Sequence, residues 1–292
     1  MSKRDNDDDA DDGSSSSSSS FELPDLTALP PSERQYACAD VRMQRFQRRV
    51  ARGEQCERCW LKKPDECCAC EAMLRHRFST QQCNVVTWMH SSEAGRQTNS
   101  TRAFIVPSAS RVIFESRNGD DELRDLVESC GTSIALLFPS AHSISVPEFV
   151  ARCGDARPTF LLVDATWRQA VKVVRRLSKR LVGVAHVHLN LPTDSNVRAD
   201  FRAPLWKSPS ENGGYSFNPM RRQNAVGRLT SAECIWFLLS EVGEDEERVL
   251  KPALEALRIR IAFALQAFDS LLARLDRETI AYLREIYARE KK

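Results

Sequence analysis

Phe160-Leu161-Leu162-Val163-Asp164-Ala165-Thr166-Trp167-Arg168-Gln169-Ala170 is the stretch that decides how this chain reads. Four apolar residues run into an acid, and a helical pattern starts directly behind it. An unbroken apolar run bounded by a turn predicts a strand buried on both faces, the kind found inside a parallel sheet. Asp164 then falls at the carboxyl end of that strand, the edge at which open α/β sheets bind ligands. Beyond it Trp167, Ala170, Val171, Val174 and Leu177 recur at helical spacing and predict one apolar stripe. Arg168, Lys172, Arg175, Arg176, Lys179 and Arg180 take the other positions. Each part also has an ordinary reading. Asp164 is a good helix cap, Trp167 suits a core, and the basic residues suit a solvated face.

Working outward, short apolar runs alternate with helical patterns. Val85 to Trp88, Ala103 to Val106, Val112 to Phe114, Ile134 to Phe138 and His186 to Leu191 read as strands, the fourth stopped by Pro139. Asp121 to Ser129 reads as a short amphipathic helix. Strands alternating with helices predict an α/β fold with a mostly parallel sheet and right-handed crossovers. Residues 192–219 are a long loop rich in Pro, Ser, Asn and Gly, and loops of that length are functional or disordered. Thr230 followed by Glu233 predicts a capping box at the start of another helix. Residues 245–292 read as one or two amphipathic helices.

The N-terminal side differs. Residues 1–32 are acidic, then homopolymeric in serine, then proline-containing, a composition that predicts disorder. Residues 33–55 read as a helix carrying Arg42, Arg45, Arg48, Arg49 and Arg52. Next come Cys56-Glu57-Arg58-Cys59 and, after Pro64, Cys67-Cys68-Ala69-Cys70. Two short cysteine pairs separated by a loop have the spacing of a tetrahedral thiolate zinc site. Four of the five cysteines suffice, and Cys67 and Cys68 compete for one place.

The chain has 292 residues, 42% hydrophobic and 28% charged, with a net charge of +2. Residues 1–25 hold two basic and eight acidic side chains, which leaves 40 basic against 32 acidic in the rest, a balance of +8. That excess is compatible with a polyanionic partner. No apolar run reaches the roughly 18 to 20 residues that span a membrane. The acidic, serine-rich start lacks the apolar core of a secretory signal, so an intracellular location, cytoplasmic or nuclear, is expected. Ten cysteines in such a setting argue against a disulfide framework.

The Asp-x-Thr-Trp tetrapeptide Asp164-Ala165-Thr166-Trp167, followed by a basic helix, resembles the signature of the DTW-domain family. Other blocks follow the family's order. Cys56-Glu57-Arg58-Cys59 with Pro64 and Cys68-Ala69-Cys70 resembles its opening cysteine element, and counting from Pro64 selects Cys56, Cys59, Cys68 and Cys70 as zinc ligands. His90, Glu93, Arg96, Thr98 and Asn99 match a polar block, with Ser91 where the family often has Pro and Thr101 where it often has Gly. The strand ending in Phe138-Pro139 and the Arg228-Leu229-Thr230-Ser231-Ala232-Glu233 turn resemble two more, so the resemblance covers roughly residues 56 to 240.

The resemblance implies a SPOUT-like fold with a knotted C-terminal part. It implies transfer of the 3-amino-3-carboxypropyl group of S-adenosyl-L-methionine to N3 of a tRNA uridine, with release of methylthioadenosine. The implied organisation is a tail (1–32), a basic helix and zinc module (33–78), a catalytic core (79–243) and a helical extension (244–292). Asp164 is then expected to act as a base or to bind the amino group of the transferred chain. Arg96 or Arg222 is expected to pair with its carboxylate. Leu137, Phe138, Pro139, Thr166, Trp167, Leu229, Thr230 and Glu233 are the expected cofactor-binding residues. Arg45, Arg48, Arg49, Lys172, Arg175, Arg176 and Lys179 are the expected tRNA contacts, acting on phosphates. A SPOUT-like RNA methyltransferase and a non-catalytic zinc-containing RNA-binding protein are the alternatives.

Overall fold

A computed structural model describes residues 27–62, 64–190, 229–267 and 277–291. The stretch Thr159–Asp164 is the central strand of one six-stranded sheet, and all six of its residues are buried. In chain order the strands are β1 (Asn84–Met89), β2 (Arg111–Phe114), β3 (Ile134–Leu137), β4 (Ile144–Ser145), β5 (Thr159–Asp164) and β6 (Ala185–His188). In space they run β2-β1-β5-β3-β6-β4, and every neighbouring pair is parallel. β5 is inserted between β1 and β3, so connections leave to both sides of it.

Parallel pairing requires crossover connections, which place helices on both faces. Phe160 and Leu162 join one buried cluster, together with Val85, Ala135, Leu137 and Val187. Leu161 and Val163 join the other, together with Val86, Trp88, Ile134 and Leu136. Burial of alternate residues on opposite faces explains why the strand reads as an unbroken apolar run. The second face is covered by α5 (Arg117–Cys130) and α7 (Trp167–Ser178). In α7 the buried positions are Ala170, Val173, Val174 and Leu177. Val171, expected on the stripe, is 43% exposed, and Val173 takes its place. The stripe therefore keeps Ala170, Val174 and Leu177 and exchanges Val171 for Val173.

The first face is covered by α6 (Val146–Cys153) and α8 (Ser231–Glu241), and α9 (Lys251–Ala267), preceded by a π-turn, Glu246–Leu250, joins the same buried cluster. α10 (Arg277–Glu290) packs on α9. Ala256, Leu257, Ile259 and Ile261 of α9 share one buried cluster with Phe160 and with the cysteine segment. A boundary at 243/244 therefore runs through a single core.

On the N-terminal side α1 (Pro31–Ala51) starts on a proline, whose missing N–H costs nothing at a helix start. It ends before Gly53, which turns the chain at φ +70. α2 (Pro64–Cys67) and α3 (Cys70–Leu74) follow.

One expected strand is a helix. Ala103–Val106 lies inside α4 (Arg102–Ser108). A four-residue apolar run does not distinguish a buried strand from a buried helix, and here Ala103 and Phe104 face one cluster while Ile105 faces another. Residues 1–26, the loop at 192–219, Leu191, Arg221 and Arg222 lie outside the described residues, as does the connection 191–228 on which the expected knot depends. No helix among the described residues is long and apolar enough to cross a membrane.

Candidate functional site at the end of the central strand

The carboxyl ends of β1, β5 and β3 converge on Asp164, which is 4% exposed. The helix behind it does not use Asp164 as its cap. Thr166 is the N-cap of α7: its side chain accepts from the Gln169 N–H, and Gln169 reaches back to the Thr166 N–H in a reciprocal capping box. The ordinary explanation for Asp164 is thus filled by its neighbours. Its carboxylate instead accepts a hydrogen bond of 2.7 Å from Asn99 Nδ2, across the buried end of the sheet. Its backbone carbonyl accepts from the His90 N–H, which fastens the polar segment 90–101 to the end of β5.

Asn99 is 1% exposed, and with Nδ2 turned toward the carboxylate its Oδ1 has no hydrogen-bond partner among the described residues. A buried acceptor left unmatched beside a carboxylate is costly. The donor it needs comes from outside the described residues. The sequence resemblance groups Asn99 with Asp164, but spacing alone gives no sign that their side chains meet.

Other expected residues collect near this point. Phe138, past the end of β3, is held by hydrogen bonds from its N–H to the Leu136 and Val187 carbonyls, and its ring lies 6.0 Å from that of Trp167. Both rings are half-buried and Pro139 is exposed, whereas Leu137 is buried in the core. Leu229 is buried, and Thr230 caps α8 in a second capping box. The Thr230 N–H donates to Glu233 Oε2 at 2.6 Å, and the Glu233 N–H donates to Thr230 Oγ1. Glu233 is fully buried. Cys234 beside it feels burial first, then Glu233 and Asp164, and its thiol is pushed up to about 12. Helix α8 packs against β5, the strand that ends in Asp164. Arg96 donates from Nη1 to the buried Glu93 at 3.0 Å, with its side chain 43% exposed.

The four cysteines selected by the Pro64 register come together. The Sγ atoms of Cys56, Cys59, Cys68 and Cys70 all lie within 4.8 Å of one another, with separations of 3.5 Å (Cys56–Cys70), 3.6 Å (Cys56–Cys68) and 3.9 Å (Cys59–Cys68). A tetrahedral zinc with Zn–S bonds of about 2.3 Å needs sulfurs about 3.8 Å apart, so the set fits that ion. All four are free thiols, and Cys67, the last residue of α2, is not part of the group. Hydrogen bonds from Cys59, Cys68 and Cys70 hold the Cys56 thiol far below the usual range, while those with Cys56 drive Cys70 far above it. The cluster supports several thiolates together only around a cation. A closed set of four thiolates is a structural site, with no open position for chemistry. The first knuckle is tight. Trp60 sits at φ 62, an unusual conformation for a large residue, pinned by Phe46 at 5.5 Å and by the Arg102 guanidinium at 4.5 Å.

The expected nucleic-acid residues divide. Arg45, Arg48, Lys172, Arg175 and Lys179 are exposed. Arg49 is half-buried and donates to Gln55 Oε1 at 2.9 Å, holding the cysteine knuckle. Arg176 turns inward. Its Nη1 donates to the buried Glu115 at 3.3 Å, its Nη2 lies 3.8 Å from the buried Asp120, and its guanidinium lies over the Trp88 ring. Arg180 also pairs with Asp120, as does the Tyr36 hydroxyl. Arg176 is therefore committed to two buried acids, which its helical position alone does not reveal.

A wholly parallel sheet with a buried carboxylate at the end of its central strand, and four cysteines that could hold a metal ion, define an α/β domain with an appended cysteine module. The sequence model of the DTW domain family matches residues 53–268, and the chain belongs to that family. The match extends past α8 through α9, further than the roughly 56–240 span of the sequence blocks. No curated protein and no solved structure matches the chain.

Proposed function

We propose that this protein is a tRNA-uridine aminocarboxypropyltransferase that uses S-adenosyl-L-methionine. The observation that supports this best is the pair of buried acceptors at the end of β5. The Asp164 carboxylate is spared from helix capping, and Asn99 Oδ1 lacks a donor among the described residues. A buried carboxylate hydrogen-bonded to a buried amide suits the ammonium group of an amino-acid chain, and favours that role for Asp164 over the role of base. On this reading the co-substrate is held by its amino-acid end, the part transferred in this reaction and retained in a methyl transfer.

In the balanced reaction uridine N3 bonds to the chain's terminal carbon, the C–S bonding pair goes to sulfur as methylthioadenosine leaves, and the N3 proton passes to water or a side chain. A sulfonium already leaves readily, so the protein's task is alignment. Asp164 and Asn99 hold the ammonium, and Arg96 or Arg222 pairs with the carboxylate, a bidentate role for which a guanidinium is suited. Phe138, Pro139, Trp167 and the Leu229–Glu233 turn enclose the nucleoside end and exclude water. Arg45, Arg48, Lys172, Arg175 and Lys179 meet tRNA phosphates. The four cysteines hold one structural zinc. Incubation with tRNA and S-adenosylmethionine labelled in its aminocarboxypropyl chain tests this reading. Label appears in the RNA if it is right, and RNA labelled only from the methyl group contradicts it.

A further inference from the structure

α9 is apolar along most of its length, yet it carries one charge in the middle of the run Ile259-Arg260-Ile261-Ala262-Phe263. Arg260 is fully buried. Its Nη2 donates to the Gln97 carbonyl at 2.7 Å and to the Asn99 carbonyl at 3.4 Å. Nε and Nη1 have no hydrogen-bond partner among the described residues, and no carboxylate pairs with the guanidinium there. A cation buried without compensation is expensive, so its counter-charge must lie elsewhere.

The negative centre against which α9 packs is the cysteine cluster. α9 packs against α3, which begins at Cys70, and against α2, which ends just before Cys68. The thiols of Cys59, Cys70, Cys56 and Cys68 all act on the guanidinium and oppose the effect of its burial. Four thiolates around a divalent cation carry a net charge of roughly −2. Arg102 supplies a second cation at the same centre, donating from Nε to the Arg58 carbonyl inside the first knuckle at 2.6 Å. Gln55 makes a parallel connection, with Nε2 donating to the carbonyls of Trp60 and Gly95. Gln55 therefore joins the first cysteine knuckle to the 90–101 segment by direct hydrogen bonds, and Arg260 holds the same segment from the helix that packs on the cysteine module.

We propose that Arg260 is a positioning residue that couples the four-cysteine metal centre to the strand-end site. The charge of the metal–thiolate centre holds the guanidinium, and the guanidinium fixes the Gln97–Asn99 backbone from which the Asn99 side chain reaches Asp164. Only this last link rests on the proposed function. The coupling between metal and segment 97–101 stands without it. Coupling of this kind is reciprocal: what the metal does for the segment, Arg260 does for the metal.

The test uses the full chain with its metal and needs neither co-substrate nor tRNA, so its failure is separate from failure of the proposed reaction. Metal release to a chromogenic chelator and amide hydrogen exchange at 97–101 are measured for the natural protein, Arg260→Met and Arg260→Lys. Stripping the metal from the natural protein is expected to speed exchange at 97–101 by about tenfold or more. In Arg260→Met that exchange is already fast with metal bound, stripping adds less than about twofold, and metal leaves about tenfold faster. Arg260→Lys, which restores the charge, brings release back to within about threefold of natural. A purely structural role predicts no rescue by lysine and no loss of the stripping effect. Exchange at 97–101 that ignores metal removal in the natural protein overturns the proposal without recourse to any variant.

Discussion

Asp164→Asn removes the charge at the end of β5 and leaves its shape. The new amide can turn its Oδ1 toward Asn99 Nδ2, so the 2.7 Å hydrogen bond survives as a neutral one. That change costs about 1 kcal/mol. Helix α7 keeps its cap, because Thr166 and Gln169 supply it. A fall in Tm of only about 2–4 °C follows for a domain of this size. The ligand suffers far more. Neutralising one partner of a buried ammonium–carboxylate pair costs about 2–4 kcal/mol, or about 30- to 1000-fold in Kd. Calorimetric titration with S-adenosylmethionine reads that loss. Titration with methylthioadenosine, which lacks the charged chain, is the control, and its Kd stays within about twofold. Turnover at saturating co-substrate falls about 10²-fold, since the chain is no longer oriented. An unchanged Kd for S-adenosylmethionine with lowered turnover would refute the ammonium reasoning and assign Asp164 the role of base. Natural affinity and turnover together would leave it with neither role.

Cys56→Ala/Cys70→Ala removes two of the four clustered thiols, and atomic absorption should then find no zinc on the purified chain. Metal retained at one per chain would place the site elsewhere. Reversing Lys172, Arg175 and Lys179 to Glu should lower tRNA affinity and reduce the slope of log K against log salt by about two to three. An unaltered slope returns that exposed face to ordinary solvation. Arg176→Gln should act differently, costing about 1–3 kcal/mol of stability because it leaves Glu115 and Asp120 short of a partner. Urea midpoints measure this. His90 is lowered below the ordinary histidine value by burial, which outweighs Glu115 and Glu93, while Arg42 and Arg176 act with burial. Its unfolded form therefore binds the proton first. Stability is lost as pH falls from about 6.5 through the folded value, at no more than about 1.4 kcal/mol per pH unit. Replacing His90 with Gln should flatten that slope between pH 7 and pH 5.5.

What the sequence made legible was set by local rules that tertiary contacts did not overturn. Thr159–Asp164 is read correctly because a strand buried on both faces must be apolar at every position. Thr230 and Glu233 form the capping box that their spacing dictates. The cysteine spacing places four sulfurs within reach of one ion. Ala103–Val106 misleads because its few apolar residues fit either period, and only its neighbours decide that it is α4. Val171 and Val173 exchange places because Trp167 sits at the helix start against Phe138, not on the buried stripe. Arg176 looks like its exposed neighbours in the sequence, and the acids it serves come from β2's end and from α5. Arg260 carried a readable signal, a single charge between isoleucines in an apolar helix, but its partners lie about 160 residues earlier in the chain.

The central claim is that this chain transfers the aminocarboxypropyl group to tRNA, and the by-product tests it most directly. The full chain is incubated with S-adenosylmethionine and tRNA, and the nucleosides released from the co-substrate are separated by chromatography. The proposed reaction predicts methylthioadenosine that accumulates only when tRNA is present, in step with a modified uridine in the digested RNA. S-adenosylhomocysteine in its place would make the protein a methyltransferase and contradict the account.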